Sequence, residues 1–181
     1  QVTVNWTGSL ASGQTTTVSL DTIAFDGNNS YQIKAWTLNP NSGTDSLALN
    51  DTASATFYPK LHGTYTIGGS SPDFSDFNTA VTALNNRGIS APVIFKVRNG
   101  TYNEQIELGN VSGALNENDI VFESEAGDSS LVRLTFASLG GSDNYVISLN
   151  EAIGVTFRKM TLKNTGTNYA WVTHIHSGSK K

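Results

Sequence analysis

The sequence predicts an all-β chain in two units: a partial β-sandwich over residues 1–58, then the first coils of a solenoid of parallel strands over 59–181. One α-helix near 74–86 is expected to cap the solenoid at its start. Three observations carry this reading. Short runs rich in β-branched and aromatic residues alternate along the chain with Gly, Ser, Asn and Asp, the pattern of strands and turns. One segment, 73–86, has helical periodicity instead. Apolar positions in the second unit recur 26 residues apart, at Ile120, Val146 and Val172, and the same offset links Leu131 with Phe157, Leu134 with Met160, Phe136 with Leu162 and Gly140 with Gly166. A period in the twenties built from strands favours stacked coils over a helical repeat array.

Composition narrows the functional classes. Charged residues make up 14% of the 181 residues, the net charge is −4, and Thr, Ser, Asn and Gly abound, which suits an extended secreted β surface. No basic stripe is present to hold phosphates, so nucleic acid is not an expected partner. The chain has no cysteine, which removes disulfides, thiolate nucleophiles and Cys-bound zinc. No stretch reaches the roughly 18 apolar residues of a membrane span. Gln1 does not open a signal peptide, and the expectation is a chain that starts after processing or inside a longer polypeptide.

In the first unit, Val2–Trp6, Thr16–Leu20, Tyr31–Trp36 and Ala53–Phe57 alternate with period two, as half-buried strands do. Four or five strands are too few for a full sandwich of about seven, so its first strands are expected to lie outside this chain. Trp6 and Trp36 are placed in the sandwich core, and Val2 to Val4 form an edge open to a missing strand, another copy or a partner. A small sheet capping the solenoid is the simpler alternative. This unit resembles the second half of the immunoglobulin-like or fibronectin-like modules of bacterial surface proteins, with Tyr31–Trp36 as the late central strand. Asn39 to Asp45, with Asn50 and Asp51, form an oxygen-rich loop of the kind that holds calcium. Its carboxylates are few, and a turn-rich hairpin loop is the favoured reading. No other cofactor is implied.

Tyr58-Pro-Lys-Leu61 is the junction, with Pro59 at the boundary, and His62 to Gly69 opens the second unit. Phe74, Phe77, Val81 and Leu84 share one helix face, Asp73 or Ser75 is the N-cap candidate, and Gly88 is the stop. Ala91 to Arg98 reads as a strand and Asn99-Gly100 as a turn. The helix then covers the open end of the solenoid core, which a repeat array must cap to stay soluble. Further strands are read at 120–125, 131–136, 146–149, 155–162 and 171–175.

Four runs carry a more specific resemblance: Gly63-Thr-Tyr-Thr-Ile-Gly68, Asp73-Phe-Ser-Asp-Phe-Asn-Thr-Ala-Val81, Gly88-Ile-Ser-Ala-Pro-Val-Ile-Phe95 and Gly100-Thr-Tyr-Asn-Glu-Gln-Ile106. Together they look like the opening segment of right-handed parallel β-helix proteins of the pectin-lyase-like group. The likeness spans roughly 61–181 and is greatest to the large secreted cell-surface β-helix proteins that bacteria export by type IX sorting. Pectin methylesterases share the pattern matched here by Gly100, Tyr102 and Glu104, where the resemblance implies a turn-shaping role and no catalysis. That family's catalytic aspartates, arginine and glutamine lie in later coils, within motifs that do not occur in this sequence. No catalytic residue is carried over.

Candidate chemistry elsewhere is sparse. Glu123 and Glu125, and Asp73 and Asp76, are paired carboxylates of the kind glycosidases use, but the first pair reads as a solvated strand edge. His174 and His176 point to one face of a strand and would need a third ligand from a neighbouring coil to make a metal site. Counting back one period gives Ser148 and Asn150, neither a strong zinc ligand, so no metal site is assigned. No Gly-x-Ser-x-Gly elbow occurs and no His sits near a nucleophile in sequence, which leaves nucleophilic hydrolysis unsupported. Tyr145, Trp171 and Tyr169 form a candidate sugar-stacking strip, with Tyr145 and Trp171 at one register position. The reading is thus a non-catalytic secreted or cell-surface module, acting in adhesion or glycan contact or as a stalk. The alternative is the amino-terminal part of a polysaccharide-active enzyme of pectin esterase or lyase type whose catalytic coils lie beyond Lys181. An open solenoid end after residue 175 is expected to be covered by another copy or by a larger parent.

Overall fold

The structure is a computed structural model and describes residues 6–19, 22, 25, 29–36, 52–142, 144–168 and 170–180. Its elements run β1 (Tyr31–Trp36), β2 (Thr52–Phe57), β3 (Leu61–Ile67), α1 (Phe77–Arg87), β4 (Ile89–Val97), β5 (Gly100–Asn103) and β6 (Ile106–Leu108). They continue as β7 (Ile120–Ser124), β8 (Val132–Phe136), β9 (Ile147–Leu149), β10 (Val155–Arg158), β11 (Thr161–Asn164) and β12 (Thr173–Ile175). From β3 onward every pairing is parallel. The strands stack into three sheets ordered β10-β7-β4-β3, β11-β8-β5 and β12-β9-β6. Each of the last three coils contributes one strand to each sheet and the first contributes β3 alone, which makes a parallel β-solenoid of about four turns.

The constant 26-residue offset does not describe the stacking. It holds between β9 and β12, where Thr173 lies over Ile147, but Ile120 lies between Val93 and Val155 in another sheet, not beneath Val146. Leu134 pairs with Leu162 and Phe136 with Asn164, two residues away from the partners the offset assigns. Register is set strand by strand through backbone ladders, while the corners between faces absorb loops of different length. The solenoid is present although the constant offset that predicted it is kept in only one strand pairing.

Inside the coils the side chains form columns. Tyr65, Phe95, Phe122 and Phe157 occupy one register position, with Phe95 and Phe122 centroids 4.7 Å apart and Phe122 and Phe157 4.9 Å apart, both pairs stacked nearly parallel. Ile106 and Ile147, and Leu108 and Leu149, make shorter columns on the third face. At Leu61–Gly63 the β3–β4 register shifts, and Pro92 falls in that irregular stretch, where a missing N–H costs no ladder bond.

Helix α1 starts later than expected. Asp76, not Asp73 or Ser75, is the N-cap, and its side chain accepts the Thr79 N–H at 2.8 Å while the Thr79 hydroxyl accepts the Asp76 N–H. Phe74 lies outside the helix, bridging to Ile67 and packing on the core. Gly88 ends the helix at φ 66, and its N–H reaches the Leu84 carbonyl at 2.9 Å; a Cβ there would meet the Ser112 carbonyl oxygen. The buried face of Phe77, Ala80, Val81 and Leu84 covers the first coil, with α1 against β3 and β6. The Gly100, Tyr102 and Glu104 pattern secures this cap. Glu104 accepts the N–H groups of Phe77 and Asn78 at the helix start, and the Tyr102 hydroxyl donates to the Arg98 carbonyl at 2.9 Å.

The first unit is described only in part. β1 and β2 pair antiparallel, with Tyr31 opposite Phe57, and Phe25 packs on both rings, but neither is the half-buried strand expected, since every β2 residue and all of β1 but Tyr31 are exposed. Thr16 to Ser19 are not a strand, and Trp6 and Trp36 are 46% and 43% exposed, so neither sits in a core. An immunoglobulin-like module is not seen among the described residues; Val2 to Val4 and the oxygen-rich loop at 39–45, with 50 and 51, lie outside them. Among the described residues no helix is long and apolar enough to cross a membrane.

Candidate functional site

The last face of the solenoid brings together what the sequence placed apart. In β6, β9 and β12 the middle residues Glu107, Ser148 and His174 form one outward row. Tyr145 and Trp171 each stand three residues ahead of that row, and the 26-residue offset that links them is real on this face. The Trp171 N–H donates to the Asn144 carbonyl at 2.8 Å, and its carbonyl accepts from Asn164 Nδ2 at 2.9 Å, which fixes the backbone that carries the indole.

The result is a cluster of rings. Trp171 meets His174 edge-on with centroids 5.1 Å apart, Tyr145 lies 6.1 Å from His174, and His174 and His176 are 4.1 Å apart. His176 Nε2 is 3.1 Å from the Ser148 hydroxyl. Trp171 is 51% exposed and Tyr145 half-buried, so the cluster offers one projecting indole beside partly covered rings. Tyr169, the third aromatic of the expected strip, lies outside the described residues.

The sequence anticipated Ser148 as the neighbour of His174, and no sequence argument joined it to His176. That contact arises because His176 follows the strand end, where its N–H bonds the Leu149 carbonyl at 2.8 Å. Ser148 is 1% exposed, and its hydroxyl serves as an anchor for the imidazole. Among the described residues no group of three or more His, Cys, Asp or Glu gathers as a metal site would require.

The paired carboxylates have other work. Glu123 is buried on the outer face of the four-stranded sheet, in one row with Lys96 and Arg158. Lys96 bonds one carboxylate oxygen, Arg158 Nε bonds the other at 2.7 Å, and the two cations hold the group below its ordinary carboxylate range despite burial. It is therefore not the solvated edge the sequence suggested. Glu125 lies 3.6 Å from Arg98, Asp73 accepts the Thr66 N–H at 2.7 Å, and Asp76 caps the helix.

At the far end of the solenoid, Leu149, Ala152, Val155, Ile175, Ser179 and Lys180 line a shallow depression of about 300 Å³, with Ile175 63% exposed. Comparison with family models, with curated proteins and with solved structures finds no match for the chain.

Proposed function

We propose that the chain is a non-catalytic module of a secreted, surface-displayed bacterial protein, of the type IX-exported, pectin-lyase-like kind its opening segment resembles. On this reading it contacts a glycan through the outer face of its last coil. The carrying observation is the Trp171 indole, half-exposed and held from both backbone sides, next to Tyr145 and His174. A fixed indole face offers an apolar plane for the C–H side of a sugar ring, while flanking imidazole and phenol groups can bond its hydroxyls. The acidic side chains weighed as catalytic pairs are engaged in ion pairs and caps, which supports contact over turnover.

A glycan array with and without calcium, read beside a turnover assay on methylated and unmethylated pectins, tests this. Binding that Trp171→Ala abolishes, without turnover, is the expected result. Turnover would overturn the non-catalytic reading, and an array with no bound glycan would leave a spacer role in place of recognition.

A further inference from the structure

We propose that His174 and His176 form a two-nitrogen site for a divalent transition-metal ion of the copper, nickel and zinc class. The inference is independent of the glycan reading. Three observations carry it. The two rings stand on one side of β12 and its exit, both half-buried, with centroids 4.1 Å apart and planes inclined by 42°. An ion about 2.0–2.1 Å from a nitrogen of each ring, with the two bonds at a right angle, sets the ring centres about 4.5 Å apart, a separation close to the one observed.

The second observation is Ser148. Its hydroxyl engages His176 Nε2 at 3.1 Å, which leaves Nδ1 as the ring nitrogen able to face an ion. Metal-bound histidines characteristically use their other ring nitrogen in this way; the contact holds the ring's orientation, and an ion on Nδ1 would select the tautomer in which Nε2–H donates to Ser148. Ser148 is thus a positioning residue, held immobile by its place in the middle strand of the sheet. Third, Glu107 stands in the same row as His174, its backbone two strand spacings, or about 10 Å, away, and a carboxylate at that range favours a cation without ligating it.

Two imidazoles suit copper(II) first, nickel(II) and zinc(II) after it. With no third carboxylate or imidazole gathered among the described residues, the remaining coordination positions face solvent. The site is then an exchangeable surface site and not a structural one.

The three histidines of the chain supply their own control, because His62 lies on β3 at the opposite end of the solenoid. The intact chain would be titrated with copper(II) alone in a non-coordinating buffer, and the bound ion read by electron paramagnetic resonance. One ion per chain with two nitrogen donors is expected. His174→Ala or His176→Ala should weaken binding at least about tenfold, and His62→Ala should leave it unchanged. Ser148→Ala should lower affinity about tenfold, because the His176 ring loses the contact that holds its orientation. In the unaltered chain, substoichiometric copper should broaden the imidazole signals of His174 and His176 well before those of His62, a reading that needs no variant to fold. Equal broadening of all three histidines, or uptake undiminished in His174→Ala and His176→Ala, would overturn the proposal.

Discussion

Glu123 lies in an inner strand of its sheet, between cations delivered by strands 27 residues before it and 35 residues after it. Sequence reasoning saw only Glu125 beside it and took both as solvated; the cross-coil partners are invisible until register is known. Glu123→Gln should cost about 1–3 kcal/mol at neutral pH, because two charge-assisted bonds to a buried group weaken together. The carboxylate is held below its usual value near 4.5. Its stabilising contribution is therefore present above that value and is lost as the pH falls through the lower, folded one. Denaturant titration of both proteins should show the difference shrinking in that acidic window. Ser124, the next residue, presents the opposite case: its hydroxyl is buried with no hydrogen-bond partner among the described residues, in one row with Val97. Ser124→Ala should raise stability by about 1 kcal/mol, measured as a shift in denaturation midpoint, since it removes an uncompensated polar group.

The elements differ in how far the sequence disclosed them. β1 and β2 were legible because period-two alternation is local, and the buried helix residues Phe77, Val81 and Leu84 because the 3.6-residue period is local too. The N-cap lies one to three residues beyond the expected positions, as Asp73, Ser75 and Asp76 all offer a capping oxygen and the reciprocal Asp76–Thr79 bonds, with docking through Glu104, select Asp76. What no local pattern reveals is the aromatic column, whose members come from four strands and pair at unequal chain separations. Phe122 stands at its centre, fully buried between Phe95 and Phe157 and stacked also on Phe77 of the helix. Phe122→Ala should cost about 3–5 kcal/mol, seen as a lowered melting temperature, and Phe122→Leu clearly less, because it refills part of the volume. Of the candidate site, the Tyr145–Trp171 alignment was legible from the one face where the 26-residue offset is kept. The convergence of His174, His176 and Ser148 was not, because it depends on how the chain leaves β12.

For the molecule as a whole, a solenoid is stabilised by nearest-neighbour coils, so protection should follow position along the stack. β4 and β7 have partners on both sides and a closed aromatic core, whereas β12 has one neighbour and carries the exposed Ile175. Hydrogen exchange is expected to be slowest in β7 and fastest in β12 and the wholly exposed β2, with α1 protected as part of the first coil. Exchange as fast in α1 as in β12 would show that the helix is not an integral cap. The architecture was legible because many short strands of similar length, introduced by one amphipathic helix, leave few ways to bury their apolar faces.

Parallel stacking also gives the molecule a mechanical grain. Its interstrand bonds run along the long axis, so a load pulling the two ends of the stack apart strains a few rungs at a time instead of shearing all of them together. Peeling would release chain in unequal lengths, because paired residues are separated by 26 positions from Ile147 to Thr173 and by 41 from Ile106 to Ile147. Each freed coil adds about 90–140 Å of extended chain. A tethered protein of this build yields to tension gradually, one coil at a time.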